Sequence, residues 1–366
     1  MTTIAVAALS ARALAEAAAR DGLEVIALDV FGDVDTQRIA EWKSIGGPDT
    51  LAIDAERLLG ALRDLARRGD VQGWVVGSGF DGRADLLERG AALLPLLGTA
   101  PADVRRVRDP VQFFEFLDAR GMLHPEVRGA ADGLGWLVKD SAGCGGWHIR
   151  RASSARPLAA GEYLQREAPG VAMSATFVAN GADAVLLGFN EQIVAPLAGR
   201  PFVFHGVLGP VGVSDPVQRS VSDTVRALAA EFRLRGLASL DFLLDGDNAS
   251  VLEINPRAPA SSALYPRPLL AHLRACIDGE LLPPPPRDAV RGRRIVFAPH
   301  ACVVDAAVSD RLARAEDGHD VPHAGTRLRA GDPLCSLSAE GHDAATVKAA
   351  LAQRCAAVLN TLETSP

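Results

Sequence analysis

The segment TIAVAAL (3–9) is almost continuously apolar, which predicts a strand. Residues 11–21 place arginine and glutamate at helical spacing along an apolar stripe, and LEVIALDV (23–30) returns to a continuous run that ends near Asp29. Strand, helix and strand make a βαβ beginning. VQGWVVGSGF (71–80) repeats the strand-to-loop pattern, with GSGFDGR leading into a helix. Residues 1–100 are therefore expected to form an open α/β sheet. The acidic residue about 20 positions beyond the first loop imitates a dinucleotide-binding unit, but that loop reads ALSARA and lacks glycine, so no cofactor is expected there. Ligands can touch the C-terminal ends of such strands, yet the glycines of GSGFDGR read first as turn residues.

From 101 the pattern changes. TAPADVRRVRDP reads as a linker, and VQFFEFLDARGM then carries apolar residues at helical spacing, stopped by Gly121 and Pro125. WLVKDSAGCGGWHIRR (136–151) is a strand, a loop holding Gly143, Gly145 and Gly146, and a returning strand. EYLQREAPG, an alternating strand over 171–179 and VLLGFNEQIV follow, then a helix over about 216–234. GLASLDFLLDGDNASVLEINPR (236–257) is a β-hairpin turning at DGDN. LLPPPPRD (281–288) can be neither helix nor central strand. The tail mixes strand signals (RRIVFAPHACVV), a turn-rich stretch (PHAGTRLRAGDP) and a closing helix that contains Lys348. This divides the chain into an N-terminal α/β unit (1–100), two α+β lobes (101–168 and 169–285) and a small β-rich C-terminal unit (286–366).

The 236–257 hairpin carries chemistry. Register about residue 247 sets Asp241 opposite Glu253. Period-2 alternation then groups Leu240, Phe242 and Leu244 with Leu252 and Ile254 on one face, and Asp241, Glu253 and Asn255 on the other. Carboxylates facing each other across a ladder repel unless a cation sits between them. Two carboxylates and an amide oxygen suit Mg²⁺, completed by water and phosphate oxygens, and Arg257 follows at once. The bland alternative is a solvated polar face.

Composition narrows the class. Lysine and arginine total 38, of which three are lysine, against 45 acidic residues, for a net charge of −7. No basic run stands out, which argues against nucleic acid as a partner. No basic segment precedes the first apolar stretch, so neither a leader nor a membrane span is expected. Five cysteines (144, 276, 302, 335, 355) lack metal-ligand spacing and suggest a reduced, cytoplasmic protein. Lys139, at the base of the glycine loop, is one of the few lysines; a flexible point charge beside exposed backbone N–H groups suits a phosphate.

Lys139 before a glycine loop, followed about 100 residues later by an Asp and LEINPR, resembles the ATP-grasp superfamily of carboxylate-amine ligases over roughly 101–280. The resemblance implies two lobes clasping ATP, with Lys139 on the nucleotide phosphates, Gly143, Gly145 and Gly146 forming the flap, and Gln165, Arg166 and Glu167 at the hinge. It assigns Mg²⁺ to Asp241, Glu253 and Asn255, and the transferred phosphoryl group or acyl phosphate to Arg257. Three departures stand out. Pro110 follows Asp109 where Asp-Lys is usual, leaving Arg108 or nothing for the second nucleotide cation; Asp140 replaces a common proline; and Ala172 falls where an acidic residue often meets ribose. NPRAPASSALY and the tail are most similar to small ligases near the tyramine-glutamate ligase of methanofuran synthesis, which implies a glutamate donor and a tyramine-like, tyrosine-like or glutamyl amine.

Ser261 and Ser262 are candidates to receive a substrate carboxylate at a helix N-terminus, or plain caps. His205 is a candidate substrate contact or a loop histidine, and Cys144 a nucleophile or a small loop residue. The partners expected are small-molecule carboxylate and amine substrates, with a homodimer open. The rival readings are an ATP-dependent carboxylase of the same fold and a nucleotide-binding sensor without turnover.

Overall fold

The computed structural model describes residues 3–48, 50–130, 134–153, 157–284, 286 and 288–364. The continuous apolar runs become a parallel sheet in the order β3 (Glu41–Ser44), β2 (Glu24–Asp29), β1 (Thr3–Ala7), β4 (Val71–Val76). Every residue of β1 is buried, because helices cover both faces. On one side α1 (Arg12–Arg20) sets Leu14, Ala15 and Ala18 against the sheet; α2 (Val34–Ile39) follows β2. On the other, α3 (Ala55–Arg68) buries Leu58, Leu62 and Leu65 against Trp74. α3 starts where Asp54 accepts from the Arg57 N–H and ends at Gly69, whose φ of 75° suits only glycine comfortably. Asp29, the residue that imitates a dinucleotide ligand, accepts instead from the Ala11 and Gly32 N–H groups and the Trp42 indole. β3 and α2 are too short to carry a periodic signal, whereas α3 carries one, in Asp54, Leu58, Leu62, Leu65 and Gly69, that the elements expected above leave out.

After α4 (Ala84–Ala91) the expected linker is a helix, α5 (Pro101–Arg108), joined to α6 (Pro110–Ala119) at Asp109. Its three arginines obscure the buried pair Val104 and Val107, and Pro101 occupies the first turn, where its missing N–H costs nothing. Asp109 caps α6 by accepting from the Val111 and Gln112 N–H groups. The smaller lobe is an antiparallel sheet in the order β5 (Val127–Arg128), β8 (Glu162–Arg166), β6 (Trp136–Asp140), β7 (Arg150–Arg151), with Trp136, Val138 and Leu164 as its core.

The larger sheet has eight strands. From one edge they are β13 (Asn248–Asn255), β12 (Arg235–Asp245), β9 (Val171–Asn180), β10 (Ala184–Leu197), β11 (Arg200–Val211), β14 (Val290–Phe297), β18 (Pro333–Gly341) and β16 (Gly318–His319). Strands after residue 290 thus extend the sheet that holds the hairpin. A short pair, β15 (Cys302–Val303) with β17 (Arg327–Leu328), lies apart. α7 (Asp215–Glu231) covers β9 and β10, α8 (Pro268–Leu273) packs on β12, α9 (Ala306–Arg314) meets β16, and α10 (Ala344–Thr364) lies on β14 and β18. The hairpin register sets Asp241 opposite Glu253 as expected, but a bulge follows: Phe242 pairs with Val251. Leu252 becomes the extra residue, and Val251 replaces it in the core beside Phe242 and Ile254.

Arg12 ties the N-terminal unit to the tail. Its guanidinium, 3% exposed, lies 2.8 Å from Glu16, 2.8 Å from Asp320 and 3.6 Å from Asp35. Asp35 also accepts from the backbone N–H groups of Asp320 and Val321. Arg12→Ala leaves these buried carboxylates without their shared cation, so it should lower stability by about 3–5 kcal/mol, read as an earlier urea unfolding midpoint. An unchanged midpoint would show that the two units are held by other contacts.

Candidate functional site

The polar face of the hairpin continues across the sheet. Ser174 lies opposite Asp241 and Thr176 opposite Ser239, so side chains on β9, β12 and β13 share one surface. Asp241 accepts from Asn255 Nδ2 at 3.2 Å and from Ser239 Oγ at 3.4 Å. Glu253 Oε2 lies 3.7 Å from Lys139 Nζ and 3.8 Å from Arg108 Nη1. The facing carboxylates therefore differ. Burial, then the charge of Glu253, pushes the Asp241 carboxyl well above the usual carboxylate range. Burial alone would raise Glu253 too, but Lys139 and Arg108, with His148 and Arg257, outweigh it and hold it low. Protein cations therefore relieve the repulsion at Glu253, while the Asp241 carboxyl is left pushed up to about 7.

Lys139 sits at the end of β6, 3% exposed, and donates to Gln165 Oε1 at 3.3 Å. Burial disfavours its charge, yet Tyr163 and Glu253 more than offset this and the ammonium is retained. Gln165 Nε2 and both ring nitrogens of His148 are buried with no hydrogen-bond partner among the described residues. The flap above them is closed down. A β-carbon on Gly143 would lie 2.1 Å from the His148 ring, and one on Gly146 would lie 1.8 Å from the Phe202 carbonyl oxygen. Gly145 accepts from the Phe204 N–H on β11. Asp140, in place of the common proline, shapes the turn: its carboxylate accepts from the Ala142 N–H and its carbonyl from the Gly143 N–H.

Arg108, the last residue of α5, donates to the carbonyls of Ser141, Gly143 and Ile254. It stitches the flap to β13. Arg257 donates from Nη2 to Asn255 Oδ1 at 3.2 Å, and from Nε to Asp81 at 3.1 and 3.2 Å. Asp81 comes from the GSGFDGR loop beyond β4, whose glycines read from sequence as a turn; a carboxylate among glycines at a strand's C-terminal end is the signal that marks it. Tyr163 was also missed. It lies opposite Lys139 in the register and, two residues from Gln165, shares that residue's face.

Other candidates lie elsewhere. Arg166 stacks over Trp136 and donates to the Leu134 carbonyl, and Glu167 pairs with Arg151, so of the three hinge residues only Gln165 reaches Lys139. Ser261 bonds Thr176 in a buried network completed by Asn190 and Tyr265, while Ser262 donates to the Pro259 carbonyl. The His205 ring meets Phe297, which also contacts Trp147 of the flap. Cys144 is pushed up to about 11, by burial and then by Asp81, to which its thiol bonds; this disfavours a nucleophile.

Oxygen donors from Asp241, Glu253 and Asn255 form a set suited to Mg²⁺. The unpartnered donors of Gln165 and His148, beside Lys139 and Arg108, suit phosphate oxygens. A small pocket lined by Val107, Arg108, Phe114, Tyr163, Leu252 and Glu253 measures 20 Å³, room for about one water. A cleft of 540 Å³ lies between α1, β14 and β18, but its charges are largely paired: Arg291 with Glu340, Arg293 with Glu16, Arg354 with Asp317.

Residues 107–261 match the ATP-grasp domain family. The arginine-specific large chain of carbamoyl phosphate synthase from Bacillus subtilis (strain 168) is 23% identical over 200 residues, covering 48% of this chain and 19% of that protein. The corresponding large chain from Paenarthrobacter aurescens (strain TC1) is 28% identical over 232 residues, covering 56% and 21%. The chain thus spans about a fifth of the length of these relatives. Biotin carboxylase from Campylobacter jejuni superposes with a TM-score of 0.73 at 12% identity, covering 99% of this chain and 95% of that one. Carboxyaminoimidazole ribonucleotide synthase from Aspergillus clavatus gives 0.69 at 15%, covering 99% of each. L-amino acid ligase from Bacillus licheniformis gives 0.67 at 13%, covering 99% and 97%. The fold is ATP-grasp.

The two carboxylates respond oppositely to pH. Asp241 holds its proton more tightly folded than unfolded, so it contributes nothing below about pH 4 and costs stability as pH rises through its raised value. Glu253 contributes stability above about pH 4.3, lost as pH falls toward its depressed value. At pH 8, Asp241→Asn should therefore melt above the wild type and Glu253→Gln below it, both gaps closing in acid. A thermal melt series across pH tests this; shifts of the same sign would refute the asymmetry.

Proposed function

We propose that this ATP-grasp chain is an ATP- and Mg²⁺-dependent, ADP-forming ligase that joins a carboxylate to an amine. The observation that carries this reading is the convergence of Lys139, Arg108 and Arg257, from three separate segments, on the oxygen face of Asp241, Glu253 and Asn255 beneath a glycine flap. Asp241, Glu253 and Asn255 would hold the metal, which when bound neutralises charge on the terminal phosphates. Lys139, with Gln165 and the unpartnered His148 ring beside it, binds phosphate oxygens. The flap is held by Arg108 and by the Phe204 N–H of β11, so a nucleotide entering beneath it displaces those contacts. Arg257 faces the terminal phosphate. There a substrate carboxylate oxygen attacks phosphorus, the bond to the ADP oxygen breaks, and an acyl phosphate forms. The amine then attacks the acyl carbon and orthophosphate leaves. The low-dielectric, preorganised site strengthens each of these contacts.

Two finer readings follow. NPRAPASSALY and the tail support glutamate as the carboxylate and a tyramine-like, tyrosine-like or glutamyl amine as the acceptor, in one-carbon cofactor synthesis. Likeness to a biotin carboxylase, a carboxyaminoimidazole ribonucleotide synthase and the biotin carboxylase domain of a 2-oxoglutarate carboxylase in complex with bicarbonate supports bicarbonate as the alternative carboxylate.

Incubation with ATP, Mg²⁺, hydroxylamine and either glutamate or bicarbonate separates these. The expected products are ADP, orthophosphate and glutamyl hydroxamate. ADP formation dependent on bicarbonate would move the assignment to a carboxylase, and AMP with pyrophosphate would overturn the mechanism. Arg257→Ala should lower kcat by about 10²–10³-fold, checked by steady-state ADP release.

A further inference from the structure

Arg257 is held from both sides of the molecule. Its Nε donates to both oxygens of Asp81, whose side chain is 2% exposed and which belongs to the N-terminal α/β unit; its Nη2 donates to Asn255 on β13. A guanidinium has five N–H donors in one plane. Two of them are engaged by these partners, and they lie on the edge formed by Nε and Nη2. The end-on edge, Nη1 with the second hydrogen of Nη2, stays available for an oxyanion. Without a carboxylate at position 81, the side-chain acceptor left to this guanidinium among the described residues is Asn255 Oδ1, a member of the metal-binding set, with the Asp241 charge attracting it toward the hairpin. The loop that presents Asp81 also touches the flap. Gly82, at φ 66°, lies so close that a β-carbon would sit 2.4 Å from Ala142 Cα, and the Asp81 charge raises the pKa of the flap's Cys144 thiol.

We infer that Asp81 is a positioning residue, which draws Arg257 away from the hairpin carboxylates and turns its free edge toward the terminal phosphate of the bound nucleotide beneath the closed flap. This rests on the ATP-binding reading of the same site. Asp81 touches no reacting atom; it fixes the plane of the group that does. The N-terminal unit then supplies a positioning residue to the site, from a loop packed against the flap.

The test needs no turnover. Titration calorimetry on the full chain with Mg²⁺ compares ADP with the β,γ-imido analogue of ATP, which differ at the terminal phosphate. In the wild type the analogue should bind more tightly. Asp81→Asn, which keeps the shape but removes the charge, should reduce that preference about 10-fold, with ADP affinity within twofold or slightly raised. Arg257→Ala should do the same, and the double variant should be no worse than Arg257→Ala alone. An unchanged preference in Asp81→Asn, an equal loss of both affinities, or additive effects in the double variant would each overturn the positioning role while leaving the nucleotide site standing. No binding of either nucleotide by the wild type would overturn the proposed function and this inference together.

Discussion

Two carboxylates set opposite each other across an antiparallel ladder, at positions 241 and 253, are the constraint around which the rest of the site is arranged. Left alone the pair repels. The structure resolves the conflict unequally: Lys139 from β6 and Arg108 from α5 converge on Glu253, while Asp241 turns to Asn255 and Ser239 with its carboxyl pushed well above the usual range. Cations are thereby concentrated on one side of the hairpin. A polyanionic ligand that brings its own divalent cation can satisfy them without either carboxylate being removed.

That constraint explains why pieces so distant in sequence are held together. Arg108 can reach Glu253 only because α5 ends against the flap, and its bonds to Ser141, Gly143 and Ile254 join the small lobe to the large sheet. Asp81 reaches Arg257 only because the N-terminal sheet is docked, and that docking rests in part on the Arg12 cluster with Asp35 and Asp320. The tail contributes through the same link, since β14, β18 and β16 extend the sheet on which the hairpin lies. The site is therefore a product of the whole chain's packing.

Much of this was legible in the sequence because it depends on period and spacing. The parallel strands appear as unbroken apolar runs, and the 241–253 pairing follows from the hairpin's central turn. What local pattern could not supply was three-dimensional convergence. Asp81 looks like part of a glycine turn until the docked N-terminal unit brings it within 3.1 Å of Arg257. The bulge that moves Leu252 out of the core shifts the pairing by one residue within a single strand, with no glycine to announce it. Arg166 and Glu167 were assigned with Gln165 as one block, but the register turns only Gln165 toward Lys139. The helix over Pro101–Arg108 was hidden by arginines that shield two buried valines.

The central claim is that the oxygen face of β12 and β13 binds a divalent cation shared with the terminal phosphates of ATP. Manganese can stand in for magnesium and reports its oxygen ligands through the width of its electron paramagnetic resonance lines. With the full chain and ATP carrying oxygen-17 at one phosphate at a time, the account predicts broadening from label at the γ-phosphate, abolished in the Asp241→Asn and Glu253→Gln double variant. Broadening from label at the α-phosphate alone, or a signal indifferent to both substitutions, would contradict it.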